Sequence, residues 1–371
     1  MKNKVCMLTS VHPPFDVRIF HKEAKSLVKA GYDVTLIAQH DKEEIVDGVK
    51  IINLQKPSNR IERMTKTVWS AYRKAVELDC DLYHLHDPEL LLIGIMLKCK
   101  GKKVIYDVHE DVPKQTLSKD YLPVMIRQPL AWTIGAVEWI GAKILDAIVP
   151  ATPKIAERFP PFRTMTIQNF PIINELVNVT PVPYQKRTAT FVYVGGIASI
   201  RGAKEMVRAL EYFKDGSSIR LSLAGDFSPN ILYDELKILP EWQFVDYHGH
   251  VSREQVASLL NSARAGLVLF HPEPNHIDAQ PNKLFEYMSA GLPVIASDFP
   301  LWRRIIDGAG CGLLVDPMNP EAIATAMRWI LEHPAEAEEM GKRGRSAVER
   351  VYNWESEAAK LKGMYKKLLA Q

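Results

Sequence analysis

Twice along its length this chain passes through a series of short, β-branched apolar runs separated by stretches with helical spacing, and a proline-rich segment divides the two series. The first series contains VCMLTS (5–10), VTLIA (34–38), LYHLH (82–86), VIYDV (104–108) and DAIVPAT (146–152), with amphipathic stretches at 20–30 and 88–100. The second contains TFVYVG, IRLSLAG, VDYHG, GLVLF, PVIAS and GLLV between 190 and 315, separated by helical patterns near 203–213, 253–262, 282–290 and 320–333. Strands that alternate with helices in this way pair in parallel, because the crossover helix returns the chain to the same end of the sheet; both faces are then covered. The segment 169–187 breaks the pattern and carries Pro171, Pro181 and Pro183. The prediction is an α/β chain of two doubly wound, Rossmann-like domains: 1–175, a linker at 176–188, 189–352, and a terminal helix 353–371 packing back on the first domain. A length of 371 residues accommodates two such cores.

Charge and cysteine usage narrow the functional classes. The first 180 residues carry 25 Lys and Arg against 21 Asp and Glu, the remainder 22 against 23. So weak a bias, without a basic stripe, argues against nucleic acid. Four cysteines without a CxxC pair fit a reducing, cytoplasmic setting. No run approaches the roughly 20 apolar residues of a membrane span, so any membrane contact is expected to be peripheral. One stretch suits it: 56–74 holds six basic residues and one acidic, with Trp69 and Tyr72 among them. It reads either as a surface for anionic lipid at the inner face of a membrane or as a solvated basic face.

The most informative stretch is DAQPNKLFEYMSAGLPVIASD, 278–298. Pro281 suits a helix start and Gly291 a helix stop, so the helix covers about 282–290 and Asp278 lies in the loop before it. Lys283 in the first turn opposes the helix dipole, which calls for an anion nearby. Pairing of Lys283 with Glu286, three residues on, is the alternative. A second anion-shaped feature is YVGGIASIRG, where Gly195 and Gly196 end a strand and Arg201 and Gly202 open a helix. It lacks the GxGxxG spacing of dinucleotide-binding loops. Ligands of doubly wound sheets bind outside the strand carboxyl ends, which places both features in a cleft between the domains.

Other polar groupings carry less. His84 and His86 alternate along one strand and point to one face with Asp87 adjacent, a possible metal cluster. The DCD at 79–81 precedes its strand, where a metal-binding DxD would follow it. Asp16 and Arg18 in HPPFDVRIF are acceptor-side or phosphate-side candidates, Asp16 as a proton acceptor; a local salt bridge explains them equally well.

Together TSVHPPFDVRIF, DLYHLHD, VIYDVHE, YVGGIASIRG, LAGD, the 278–298 cassette and GCGLLVDPMNPEAIATAM resemble the family-four retaining glycosyltransferases of GT-B fold, over nearly the whole chain. The resemblance implies a nucleotide diphosphate sugar donor, UDP- or GDP-linked, with no metal and no further cofactor. Asp278 would then face the donor sugar and Glu286 the ribose. Gly195, Gly196, Arg201, Asn282, Lys283 and Leu284 would line the diphosphate, and His109, at the end of VIYDVHE, would stand near the donor sugar. A strand end like DLYHLHD occurs in that family without a metal. The chain departs from the family where an arginine usually follows the first glycine of the second-domain loop, here Gly196; a lysine further on is Arg201; and the first cassette acid is aspartate instead of glutamate.

The expected reaction is transfer of a sugar to an acceptor hydroxyl, carbohydrate or lipid-linked, in polysaccharide or glycolipid assembly. Arg201 and Lys283 would take the leaving diphosphate charge, and His109 and Asp278 would orient the sugar. A GT-B sugar-nucleotide epimerase and a catalytically silent nucleotide-sugar binding module are the alternatives.

Overall fold

The computed structural model describes residues 2–117, 122–176, 180–213 and 218–370. By internal packing the chain divides into two units, Met1–Asn169 with Trp354–Gln371, and Phe170–Asn353. The first boundary lies ahead of position 175 because Phe170 and Leu176 belong to the second unit's core, where the Phe170 ring meets Phe285 at 4.8 Å. Of the expected linker 176–188, residues 177–179 lie outside the described residues. The rest is tied down: Tyr184 is buried and its hydroxyl donates to the Arg264 carbonyl at 2.7 Å.

The first unit's sheet contains β1 (Lys4–Leu8), β2 (Asp33–Gln39), β3 (Glu44–Val46), β4 (Val49–Leu54), β5 (Leu82–Leu85), β6 (Lys103–Val108) and β7 (Ala147–Pro150). Their order is β3-β4-β2-β1-β5-β6-β7. β1 pairs in parallel on both sides, Val5 lying opposite Val34 and Leu82. Only β3 runs antiparallel, to β4. That hairpin is absent from the sequence reading, although Asp47-Gly48 is its signal: both residues have positive φ, 51° and 81°, as a two-residue hairpin turn of this hand requires. The terminal helix Trp354–Leu369 belongs to this unit. Its Trp354 indole donates to Ser26 Oγ at 2.9 Å, and Tyr365 is fully buried.

The second unit's sheet contains β8 (Thr190–Val194), β9 (Arg220–Ala224), β10 (Val245–Gly249), β11 (Ala265–Val268), β12 (Val294–Ser297) and β13 (Gly312–Val315), all parallel, in the order β10-β9-β8-β11-β12-β13. Phe191 and Tyr193 pack into the core on one face and Val192 into the core on the other. Each such side chain contributes about 1.5–3 kcal/mol on burial, which is why these strands read as nearly continuous apolar runs.

Both sheets reverse their direction of growth once. In the first the reversal lies between β1 and β5, in the second between β8 and β11. Carboxyl ends of strands at such a switch point have no crossover above them and form the natural ligand crevice of each unit.

Candidate functional site

At the second unit's switch point β8 is followed directly by Gly195 and Gly196. Gly195 has φ 115°, a conformation L side chains rarely adopt, and a Cβ there would lie 3.4 Å from Lys283 Nζ. The following turn closes at Gly202, φ 78°, where a Cβ would sit 2.1 Å from the Leu269 carbonyl oxygen. These glycines let the loop lie flat on the ends of β8 and β11. The guanidinium of Arg201 then folds back over Gly196: its Nη1 donates to the Gly196 carbonyl at 3.1 Å and occupies the space a side chain at 196 would need, 2.8 Å from the position of its Cβ. The arginine that the family pattern sets directly after the first glycine is absent, and a guanidinium from five residues later stands against that position.

Lys283 reaches the same corner from the helix Asn282–Ser289. It is 8% exposed, and its Nζ has no hydrogen-bond partner among the described residues. The ammonium lies 3.7 Å from the centre of the Tyr193 ring and 5.1 Å from that of Phe270. Burial, with Arg201 adding to it, holds its pKa well below the ordinary lysine value, and Glu286 offsets this only in part. The pairing of Lys283 with Glu286, left open by the sequence, does not form. Glu286 accepts from Arg253 Nη1 at 2.9 Å instead, and Arg253 Nε donates to Glu175 at 3.0 Å. His276 adds a neutral imidazole, its pKa pushed to about 4 by burial and by repulsion from Arg201, His271 and Lys283. A corner holding Arg201 and an unpaired Lys283, next to backbone free of side chains, is short of negative charge.

The other cassette residues divide. Asn282 is exposed at the helix start. Leu284 is fully buried and its N–H is already bonded to the Pro281 carbonyl at 3.1 Å, so its expected contact with a diphosphate is not available from that group. Asp278 is half-buried at the end of a turn that Trp302 Nε1 pins by donating to the Ala279 carbonyl at 2.7 Å. Two buried acceptors of this loop, Asn275 Oδ1 and Gln280 Oε1, have no hydrogen-bond partner among the described residues. Sequence reasoning missed them, as it missed Arg253 and Glu175, since none falls within a recognisable spacing.

The first unit's switch point holds a different constellation. Asp107, fully buried on β6, accepts from Arg18 Nη2 at 2.7 Å and Nε at 2.9 Å, and lies 2.8 Å from His109 Nε2 and 3.2 Å from His86 Nδ1. Burial alone would raise its pKa, but Arg18 and the histidines hold it well below the carboxylate range. Glu23 is driven well above that range by burial and by Asp107. His84 and His86 are pushed down by burial and stay neutral imidazoles at neutral pH. His109 is therefore locally bonded at its strand end, and 16% of its side chain remains exposed.

Two expectations for this unit change. Arg18 is 3% exposed and its guanidinium is taken up by Asp107 and Glu23, with a further bond to the Ile167 carbonyl; no ion pair to Asp16 forms among the described residues. Asp16 caps the helical segment starting at Val17, its Oδ1 accepting from the Arg18 and Ile19 N–H groups at 2.8 and 2.9 Å. Although burial opposes it, this capping and His12 hold its pKa low, which makes it a poor proton acceptor. His12, overlooked in the sequence, is the basic member: burial lowers its pKa, but Asp16 at 3.6 Å, Asp87 at 3.5 Å and Asp107 together raise it.

Donor atoms of Glu23, His84, His86 and Asp107 come within 4.8 Å of one another. Asp87, the expected third member beside the histidines, accepts from Thr9 Oγ1 and the Ser10 N–H instead, at 2.8 and 2.6 Å. Arg18 already supplies positive charge to both carboxylates of the converging group, so a cation there would have to displace a buried guanidinium.

Two family models match, one described as Glycosyl transferases group 1 over residues 181–347 and one as Glycosyltransferase Family 4 over residues 17–163. The D-rhamnosyltransferase WbpZ of Pseudomonas aeruginosa is 32% identical over 302 residues, spanning 77% of this chain and 73% of that protein. Among solved structures, sucrose-phosphate synthase from Thermosynechococcus elongatus is similar with a TM-score of 0.77 at 20% identity, covering 100% of each chain. Anabaena HepE in complex with UDP and glucose is similar with a TM-score of 0.75 at 13% identity, over 98% of this chain and 100% of that one.

Proposed function

The chain belongs to the group 1, family-four glycosyltransferases, and from that premise we propose that it transfers a sugar from a nucleoside diphosphate to an acceptor hydroxyl with retention of anomeric configuration. The enzyme is a glycosyltransferase of GT-B fold. The observation that carries the finer reading is the buried Lys283 side-chain nitrogen, without a hydrogen-bond partner among the described residues, at a glycine turn that Arg201 also faces. A buried amine without a partner gains most from a ligand that supplies an anion, because its protonation is then answered by charge. A diphosphate fits, because it brings two or more negative charges and needs backbone without side chains to approach.

As the anomeric C–O bond breaks, its electron pair passes to the diphosphate, and the negative charge on the departing group grows. Arg201 and Lys283 gain most from that growth, so they stabilise the transition state more than the bound donor. Glu286, oriented by Arg253, is the proposed acceptor for ribose hydroxyls, and Asp278 is the proposed donor-sugar residue of the second unit. His109, oriented by Asp107, is that of the first. UDP-sugars are the proposed donors, since the similar Anabaena structures were solved with UDP, UDP and glucose, or UDP-glucose. The acceptor is proposed to be a carbohydrate or lipid-linked carbohydrate of polysaccharide or glycolipid assembly, at the cytoplasmic face of a membrane. No helix among the described residues is long and apolar enough to cross one.

Glu286→Ala and Arg201→Ala are each expected to lower turnover of the accepted nucleotide sugar by about 10²-fold with thermal unfolding unchanged. Product analysis over UDP-, GDP- and dTDP-sugars checks this. Full activity in both variants, or a donor returned only in isomerised form, overturns the assignment.

A further inference from the structure

The helix Val124–Ile144 of the first unit turns an apolar face to solvent along its whole length. Met125 is 89% exposed, Trp132 70%, Ile126 and Ile140 52%, and Trp139 46%. Surface helices ordinarily present polar residues outward. Here the one acid of the helix, Glu138, is buried and engaged by the Tyr106 hydroxyl and Arg158. Among the described residues, the outward face of the helix therefore carries no negative charge.

The charges that remain are positive: Arg127, half-buried, toward the amino end, and the more outward ones toward the carboxyl end. Lys143 Nζ sits 3.5 Å above the Trp139 ring, and Arg163 is anchored beside it by donating to the Leu145 carbonyl at 2.6 Å. Neither has a carboxylate partner among the described residues. A shallow open groove of about 650 Å³ lies along the same helix, lined by Trp132, Trp139, Pro113 and Phe159 among others. The neighbouring helix Leu91–Cys99 packs against this one and exposes Leu92, 67% accessible.

We propose that this face seats the protein on the surface of an anionic lipid bilayer, with the helix lying in the plane of the interface. A bilayer accepts both halves of the surface at once: apolar side chains enter the acyl boundary, indoles settle at headgroup depth, and phosphates meet Lys143 and Arg163. A second copy of the chain fits less well. A twofold contact would set the same acid-free, cation-bearing face against itself and leave both cations unanswered. The basic stretch 56–74 contributes less than its composition suggests, because Arg63, Lys66 and Lys74 are paired with Glu89, Glu62 and Glu43.

The inference is independent of the donor, so its test uses no sugar nucleotide. Full-length protein is floated with vesicles of phosphatidylcholine alone or mixed with phosphatidylglycerol, at low and high salt. The protein is expected to float with the mixed vesicles and to be partly released by salt. Trp132→Glu combined with Ile140→Glu is expected to lower binding by tenfold or more, and Lys143→Glu with Arg163→Glu by about fivefold per charge. Thermal unfolding and circular dichroism stay as in the parent, which separates a lost surface from a lost fold. Absence of flotation with mixed vesicles, binding that the variants leave unchanged, or a dimer in light scattering that the apolar variants abolish would each overturn the proposal, the last by assigning the face to a second copy.

Discussion

Replacing Lys283 by methionine is expected to lower kcat for glycosyl transfer by about 10²- to 10³-fold, the loss seen when one preorganised donor is taken from a developing anion, while leaving the protein as stable or more so. The two effects have one cause. The Lys283 nitrogen is buried over Tyr193 without a hydrogen bond among the described residues, so the folded state bears a desolvation cost that an apolar chain of similar length avoids. Stability against pH supplies a second signature. Folding lowers the pKa of Lys283 below its unfolded value, so between the two the unfolded chain binds more protons. Stability should rise with pH across that window and lose this part of the slope in the methionine variant. A variant that loses stability and keeps its turnover would mark Lys283 as a core residue only.

Arg18→Met is expected to act in the opposite sense, destabilising the first unit by about 3–5 kcal/mol with little change in nucleotide affinity. Removing the guanidinium leaves Asp107 buried without its main counter-charge, beside Glu23, whose carboxyl is already driven toward its neutral form. Adding Asp107→Asn should restore part of the loss, because the uncompensated charge is then gone. Denaturant unfolding of the single and double variants measures both. Had Arg18 faced a phosphate, as its place in the first loop suggested, the single variant would lose affinity and keep its stability.

These two residues show what local sequence can and cannot convey. The alternating runs were legible because parallel strands buried on both faces must be apolar throughout, and Phe191, Val192 and Tyr193 feed both cores. Lys283 stood out in the sequence because a cation in a first helical turn conflicts with the helix dipole whatever surrounds it. Arg18 was misread since its partners, Asp107 and Glu23, are set by strand order, and only the fold brings β6 beside that loop. The pairing of Glu286 with Arg253 is hidden for the same reason, the two lying 33 positions apart. Neither reading of Asp16, as a proton acceptor or as a local ion pair with Arg18, included its capping of a helix start, which depends on the backbone turn that follows it. The helix Val124–Ile144 escaped notice because its outward face is apolar, which erases the contrast between faces that periodicity depends on.

The central claim is that the corner formed by Lys283, Arg201 and the Gly195–Gly196 turn receives a diphosphate. Its most direct test is calorimetric titration of UDP and GDP into the parent protein and Lys283→Met, in two buffers of different ionisation heat. A bound diphosphate returns the lysine pKa toward its ordinary value, so binding at a pH above the free-state value takes up close to one proton, and affinity falls as pH rises. The account predicts that proton uptake for at least one nucleotide in the parent, and in the variant a tenfold or greater loss of affinity with no uptake. Equal affinity in both proteins, with no proton exchanged in either, would contradict it.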